Sequence, residues 1–272
     1  MHVYAVTSQK GGVGKTTTAV NLGAALAAES KRVLLIDLDP QASLTAAVGA
    51  RPRRLTSGDI LRHPHKILEA IVPCAGGMRV VPAAPSLACI LLELDHMEAP
   101  AHRLLTAFSS VKDLFDYALI DCPPSLGHAV SNALTAAEVA LVPLQCEFLS
   151  LRGLADVRDI AGEIQATTNP GLRLRVVATM FDKRTIHARD VLEEARNALP
   201  GLVYETVIPR TVRLAEAPAT GQTILEYAPD SNGAISYRSL AREILQEDET
   251  YGTPQRHPGS YAEAAYSGTQ AL

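Results

Sequence analysis

The side chains best equipped for chemistry lie near the N-terminus, in Gln9-Lys10-Gly11-Gly12-Val13-Gly14-Lys15-Thr16-Thr17. Glycines let consecutive backbone N–H groups converge on an anion with no Cβ in the way. A lysine in that setting reaches the β- and γ-phosphates of a nucleotide, and the threonine after it can ligate Mg²⁺ through its hydroxyl. Two acidic stretches, Asp37-Leu38-Asp39-Pro40-Gln41 and Asp121-Cys122-Pro123-Pro124-Ser125, suit the same chemistry. A carboxylate that ends an apolar strand holds Mg²⁺ directly or through water. Each has a bland alternative when taken singly: a glycine-rich turn before an ordinary helix, a turn with capping carboxylates, a strand that merely ends in acid. Together they describe one phosphate site.

Such a site needs a rigid frame. The apolar run 3–6 reads as a strand and residues 19–28 as a helix of strong formers, which places the glycine turn between strand and helix. The runs 32–37, 78–83, 117–121 and 138–143 are continuous apolar stretches, the pattern of strands buried on both faces of a parallel sheet. Residues 86–115 and 150–166 carry helical spacing, Asn169-Pro170-Gly171 stops the second of these, and 238–246 reads as a closing helix. The expected fold class is α/β: a single-domain, mostly parallel twisted sheet with helices on both faces, spanning 1–247. Residues 248–272 lack periodicity and are expected to be a disordered tail.

A chain of 272 residues, 47% hydrophobic, is ample for one large core. The net charge of −4 gives no global attraction for nucleic acid, so any such surface must be local. No run of 18 apolar residues occurs, and Lys10 falls where a leader peptide would keep its apolar core, so a cytoplasmic chain is expected. Cys74, Cys89, Cys122 and Cys146 show no metal-binding spacing and read as small buried residues. Tryptophan is absent, which argues against a base-stacking single-strand binder.

Gln9 stands where the usual phosphate loop has its first glycine, and Lys10 follows at once. In this the loop resembles the deviant Walker A P-loop NTPases: ParA and Soj partition ATPases, MinD and the nitrogenase iron protein. The likeness runs from residue 3 to about 246 and is carried further by D-L-D-P-Q, D-C-P-P-S, T-M-F-D-K-R-T at 179–185 and V-I-P-R-T-V-R-L-A-E-A-P at 207–218. The resemblance implies ATP or ADP with Mg²⁺, cradled by Lys10, Gly11, Gly12, Val13, Gly14, Lys15, Thr16 and Thr17. It implies an ATP-dependent homodimer in which Lys10 reaches the partner's phosphates and Glu147 lies nearby at the interface. By the same resemblance Asp39 orients the attacking water, Asp37 supports a Mg²⁺ shell shared with Thr16 and Asp121, and Met180 and Pro209 lie by the adenine. Arg184, Arg210 and Arg213 are the implied contacts to DNA.

Residues 173–213 hold Arg173, Arg175, Lys183, Arg184, Arg189, Arg196, Arg210 and Arg213 against five acids, a local excess of +3. Charge alone would make this a solvated face; the matched motifs make it a DNA surface, one that reads backbone phosphate and not sequence. Asn232 departs from the many relatives with a basic residue at that place, and Ile186-His187-Ala188 replaces the usual Asn-Leu. A second cluster, Arg51, Arg53, Arg54, Arg62, His63, His65 and Lys66, fits no nucleic-acid motif and reads as a solvated face. The expected function is an ATP-dependent partitioning ATPase that binds double-stranded DNA non-specifically on the nucleoid and is stimulated by a ParB-like protein. No membrane is expected, because 262–272 lacks the lysines and arginines of a MinD-type basic helix. The alternatives are a MinD-like or secretion- or cellulose-associated positioning ATPase and, more remotely, a redox ATPase with a cysteine-held cluster.

Overall fold

The computed structural model describes residues 1–146 and 150–251. Eight strands form one sheet: β1 (His2–Val6), β2 (Val33–Asp37), β3 (Val72–Pro73), β4 (Arg79–Val81), β5 (Tyr117–Asp121), β6 (Val139–Gln145), β7 (Arg173–Phe181) and β8 (Val203–Pro209). Their spatial order is β3-β4-β2-β5-β1-β6-β7-β8, parallel throughout except for the short antiparallel β3.

Helices cover both faces because alternate strand residues are apolar on both. Val3, Ala5, Leu34, Ile36, Ala118 and Ile120 point into one core; Tyr4, Val6, Val33, Leu35 and Leu119 point into the other. The second layer is closed by α1 (Lys15–Ala28) and α2 (Ser43–Ala47), which follow β1 and β2. The first is closed by α3 (Ser57–Arg62), α4 (Ile67–Ala70), α5 (Leu87–Glu93), α6 (Arg103–Phe108), α7 (His128–Ala136) and α8 (Ser150–Thr167). Beyond β7, α9 (Ile186–Ala198) caps a satellite core, α10 (Val212–Glu216) leads to α11 (Ile224–Tyr227), which packs on α1, and α12 (Asn232–Tyr251) lies beside α1.

Three expectations change here. The polar, basic, proline-punctuated segment 50–73 reads in sequence as short helices and loops on the surface; the short helices are there, but Ile60, Leu61, Ile67 and Ala70 are buried and Arg62 pairs with Glu93. Its proline and arginine content hides only that these helices bury one side. Of the cysteines, Cys122 and Cys146 are buried, but Cys74 is half-buried and Cys89 exposed. The closing helix also outruns its expected end at 246, continuing to Tyr251, so the boundary drawn at 247 falls inside it. Its last turns are anchored at the amino edge of the sheet. The Tyr4 hydroxyl donates to both Asp248 carboxylate oxygens at 2.9 Å, and the Tyr117 hydroxyl donates to Oδ2 at 3.0 Å. Arg173 and Arg175 pair with Glu247, so these two arginines of the expected DNA surface instead hold a helix end. An acidic run such as Glu247-Asp248-Glu249 reads as solvated in sequence; its partners come from strands far away along the chain.

His2 stacks on Tyr117 and donates through Nδ1 to Glu138 at 3.1 Å. That hydrogen bond, with Asp248 adding attraction, raises the imidazole pKa above 6.5 despite partial burial. A raised folded-state value means that the stabilisation is complete below the unfolded pKa and is lost as pH climbs through the folded one. Urea unfolding of wild type and His2→Gln should therefore differ most below about pH 6.5 and converge as pH rises through the raised folded-state value. A pH-independent gap would remove the linkage.

Candidate nucleotide site

Parallel pairing decides which strand ends meet. Because β5 lies between β2 and β1, Asp121 is the register partner of both Asp37 and Val6. The loop leaving β1 and both strand-end carboxylates thus share one patch of the carboxyl edge, where open α/β sheets bind ligands.

The loop is curled around its own lysine. Lys15 Nζ donates to the carbonyl of Ser8 at 3.1 Å and of Lys10 at 3.2 Å. The ammonium is largely buried, which lowers its pKa, while the nearby Asp121 works in the opposite sense. Gly12 and Gly14 adopt left-handed backbone (φ 75° and 93°), and Gly14 caps α1. A Cβ on Gly11, Gly12 or Gly14 would meet nothing within 4 Å, so among the described residues the space over the loop is open. That concavity, at a helix N-terminus with unpaired N–H groups, suits a phosphate chain.

Beneath it, the Thr16 hydroxyl donates to Asp121 Oδ2 at 2.6 Å. Asp121 Oδ1 is buried and has no hydrogen-bond partner among the described residues. Burial and the neighbouring Asp37 raise the Asp121 carboxyl well above the usual range, and the Thr16 hydrogen bond and Lys15 oppose that rise. An orphaned carboxylate oxygen beside a hydroxyl is a donor set that fits Mg²⁺, a hard cation that takes oxygen ligands and keeps several from water and phosphate.

Asp37 is the register neighbour of Asp121 but is itself fully engaged. Its Oδ1 accepts from the Asp39 N–H at 3.1 Å, and its Oδ2 accepts from the Thr45 N–H at 2.8 Å and the Thr45 hydroxyl at 2.7 Å. Burial still pushes its carboxyl up to about 6. Thr45 in turn accepts from the Ala83 N–H at 2.9 Å, tying the end of β2, the start of α2 and the exit of β4 into one knot. The knot sets the turn that carries Asp39, half-buried, whose Oδ1 accepts from the Gln41 N–H at 2.9 Å. Thr45 was missed by sequence reasoning; it lies six residues beyond Asp39, outside the D-L-D-P-Q string.

A cleft of about 1050 Å³ opens on the other side of the loop, between the ends of β7 and β8 and the start of α12. Val13, Gly14, Thr17, Met180 and Pro209 all line it, as does Asn232. Met180 takes left-handed backbone (φ 51°), an uncommon conformation for a non-glycine residue that concentrates at functional sites. Thr179, also missed, is buried and donates to the Val13 carbonyl at 2.9 Å, fastening β7 to the phosphate loop. It stands directly before Met180 in the matched T-M-F-D-K-R-T stretch.

Arg184 and Arg210 lie on the rim of this cleft. Arg184 grips Asp182 with two hydrogen bonds, of 2.9 and 2.7 Å, and holds that carboxyl down at about 2. Arg213 is paired with Glu216 at 2.9 Å, and Glu216 also accepts from Tyr227. Glu147 lies outside the described residues, and Lys10 is half-buried at the mouth of the loop.

A phosphate loop at the carboxyl edge of a parallel sheet, backed by a strand-end aspartate, defines a P-loop nucleotide hydrolase. Residues 1–174 match the AAA domain family. The chain is 43% identical over 242 residues to the chromosome-partitioning ATPase Soj of Thermus thermophilus, spanning 89% of this chain and 94% of that one. It is 40% identical over 254 residues to the chromosome partitioning protein ParA of Caulobacter vibrioides, spanning 91% and 95%. A Mycobacterium smegmatis structure, described as cobyrinic acid a,c-diamide synthase with a bound ATP analogue and magnesium, matches with TM-score 0.81 and 37% identity over 93% of this chain and 97% of that chain. The chain belongs to the ParA/Soj family of partitioning ATPases. It hydrolyses ATP, and its cofactors are ATP or ADP with Mg²⁺. Among the described residues no helix is long and apolar enough to cross a membrane.

Thr45→Val keeps the shape of the side chain and removes the hydroxyl shared by Asp37 and Ala83. It should cost about 1–3 kcal/mol in urea unfolding, with Thr45→Ser recovering most of the loss. Equal stability of the valine variant and wild type would rule out the knot.

Proposed function

We propose that the chain is a DNA-partitioning ATPase whose ATP-bound sandwich dimer grips double-stranded DNA non-specifically and lets go on hydrolysis, accelerated by a ParB-like partner. In this reading Gly11–Thr17 hold the phosphates, Lys15 and the partner copy's Lys10 neutralise charge that grows on the γ-phosphate, and Asp39 places the attacking water. Bound Mg²⁺ supplies further neutralisation of the phosphate oxygens, held from Thr16 and Asp121. Met180 and Pro209 bracket the base. Arg184, Arg210 and Arg213 meet DNA phosphates, and pairing two copies doubles that surface, so avidity turns a weak patch into a useful one.

The observation that carries this reading is the short stretch 179–184. At one end, Thr179 is bonded to the phosphate loop through Val13; at the other, Arg184 stands exposed on the rim of the cleft. Six residues thus link the nucleotide to a cation that faces solvent, with the strained Met180 between them. A change at the loop on nucleotide exchange has a short path to the arginines.

Asp39→Ala should lower ATP turnover by about 10²-fold or more while leaving ATP-dependent DNA binding intact. Colorimetric phosphate release and a gel-shift assay with ATP read the two effects separately; turnover at the wild-type rate would remove Asp39 from its role. Arg213→Ala should lose DNA while still forming the ATP dimer by size-exclusion chromatography, and unchanged binding at low salt would place the DNA elsewhere.

A further inference from the structure

Of the three cations singled out by resemblance, Arg184 and Arg213 are held by the chain's own acids while Arg210 has no ion pair among the described residues, and other arginines of the basic stretch are held likewise. Arg184 holds Asp182, Arg213 holds Glu216, and Arg196 holds Glu205. The pattern extends over the surface, with Arg32 on Asp116, Arg62 on Glu93 and Arg242 on Glu29. Against this background Arg51-Pro52-Arg53-Arg54 stands out. All three arginines are exposed, and none has a hydrogen bond or ion pair with another described residue. Between Asp39 and Asp59 the chain carries these three arginines and no acid.

The energetic distinction is simple. A guanidinium already bound to a carboxylate gains from a phosphate only the difference between the two anions. A free one gains the whole interaction and releases the counterions condensed on the phosphate. The unpaired arginines are therefore the cheaper ones to place on nucleic acid.

Their position also suits it. The segment leaves the C-terminal end of α2, the helix set by the Asp37–Thr45 knot, where the Val48 carbonyl accepts from the Ala75 N–H in the turn before β4. Gly49, two residues before Arg51, packs directly on Gly221: a Cβ on Gly221 would lie 3.2 Å from the Gly49 Cα. Gly221 ends the helical stretch that carries Arg213 in its first turn, so helix rise and chain reach keep Arg51 within about 25 Å of Arg213. One turn of duplex is about 34 Å. Both sets of arginines can reach the same stretch of DNA.

We infer that Arg51, Arg53 and Arg54 form a second phosphate-binding surface for double-stranded DNA, one that continues the Arg184–Arg210–Arg213 rim across the Gly49–Gly221 contact. This rests on the DNA reading proposed above and extends it to a segment without a recognised nucleic-acid motif. It also divides the 51–66 cluster in two: Arg62 is structural, clamped on Glu93, and the three arginines upstream are the binding residues.

The test is the salt dependence of ATP-dependent binding to a random-sequence duplex, compared between wild type and the triple variant Arg51→Ala, Arg53→Ala, Arg54→Ala. The slope of log affinity against log salt should become shallower by about 0.9 for each phosphate left without its arginine, or about 2.7 for all three. The triple lysine variant should keep most of the wild-type slope, and basal ATP turnover and the ATP dimer should stay unchanged in both. Wild type that binds no DNA at all would sink the broader DNA reading. Wild type that binds while the alanine triple keeps its slope would sink only this inference, as would loss of the dimer in the triple. A triple with normal DNA binding that no longer responds to the partner protein would overturn it in favour of an acidic protein surface.

Discussion

Two carboxylates that end neighbouring strands in register, nearly out of water, form the constraint around which the carboxyl edge is built. Burial makes both costly to ionise; the nearby Asp37 adds to the cost at Asp121, and Asp39 adds to it at Asp37. The fold resolves the conflict asymmetrically. Asp37 receives three hydrogen bonds and becomes a scaffold for the turn that bears Asp39. Asp121 receives one, from Thr16, and keeps a buried oxygen without a partner. The unmet demand is placed where a cation bound with nucleotide phosphate would satisfy it. Lys15, folded back on the loop carbonyls, adds positive charge to the same few ångströms.

The opposite edge of the sheet has the reverse character. Most of its polar groups are satisfied by one another: Tyr4 and Tyr117 on Asp248, His2 on Glu138, Arg173 and Arg175 on Glu247, with the buried Tyr204 hydroxyl an exception. Such a network pins the last turns of α12 beneath the strands. Anchoring α12 there also fixes its first turn at the other edge, where Asn232, Ile235 and Tyr237 wall the large cleft. The helix spans the molecule from a locked end to a working end.

Between these lies the division of the arginines. Exposed ion pairs are individually weak, so the carboxylates on Arg184 and Arg213 do not forbid a phosphate; they reduce what it gains. Cations that have no such partner keep their full attraction, and in this chain three of them sit on one short segment just past the turn that bears Asp39 and the helix after it. Charge counting along the sequence treats both kinds alike.

Much of the site was legible in the chain itself. The glycine spacing, Lys15-Thr16, and the aspartates ending apolar runs dictate a phosphate loop and a parallel α/β sheet, because local backbone freedom and strand periodicity act over a few residues at a time. What the linear order could not convey is partnership. Only β-strand order sets Asp37 against Asp121, only packing gives Thr45 its two neighbours and Thr179 its carbonyl, and only the folded end of α12 turns Arg173, Arg175 and Asp248 from surface charges into a buried clasp. A charged residue's role depends on which opposite charge comes within about 4 Å, and that is decided by the meeting of segments that lie far apart along the chain.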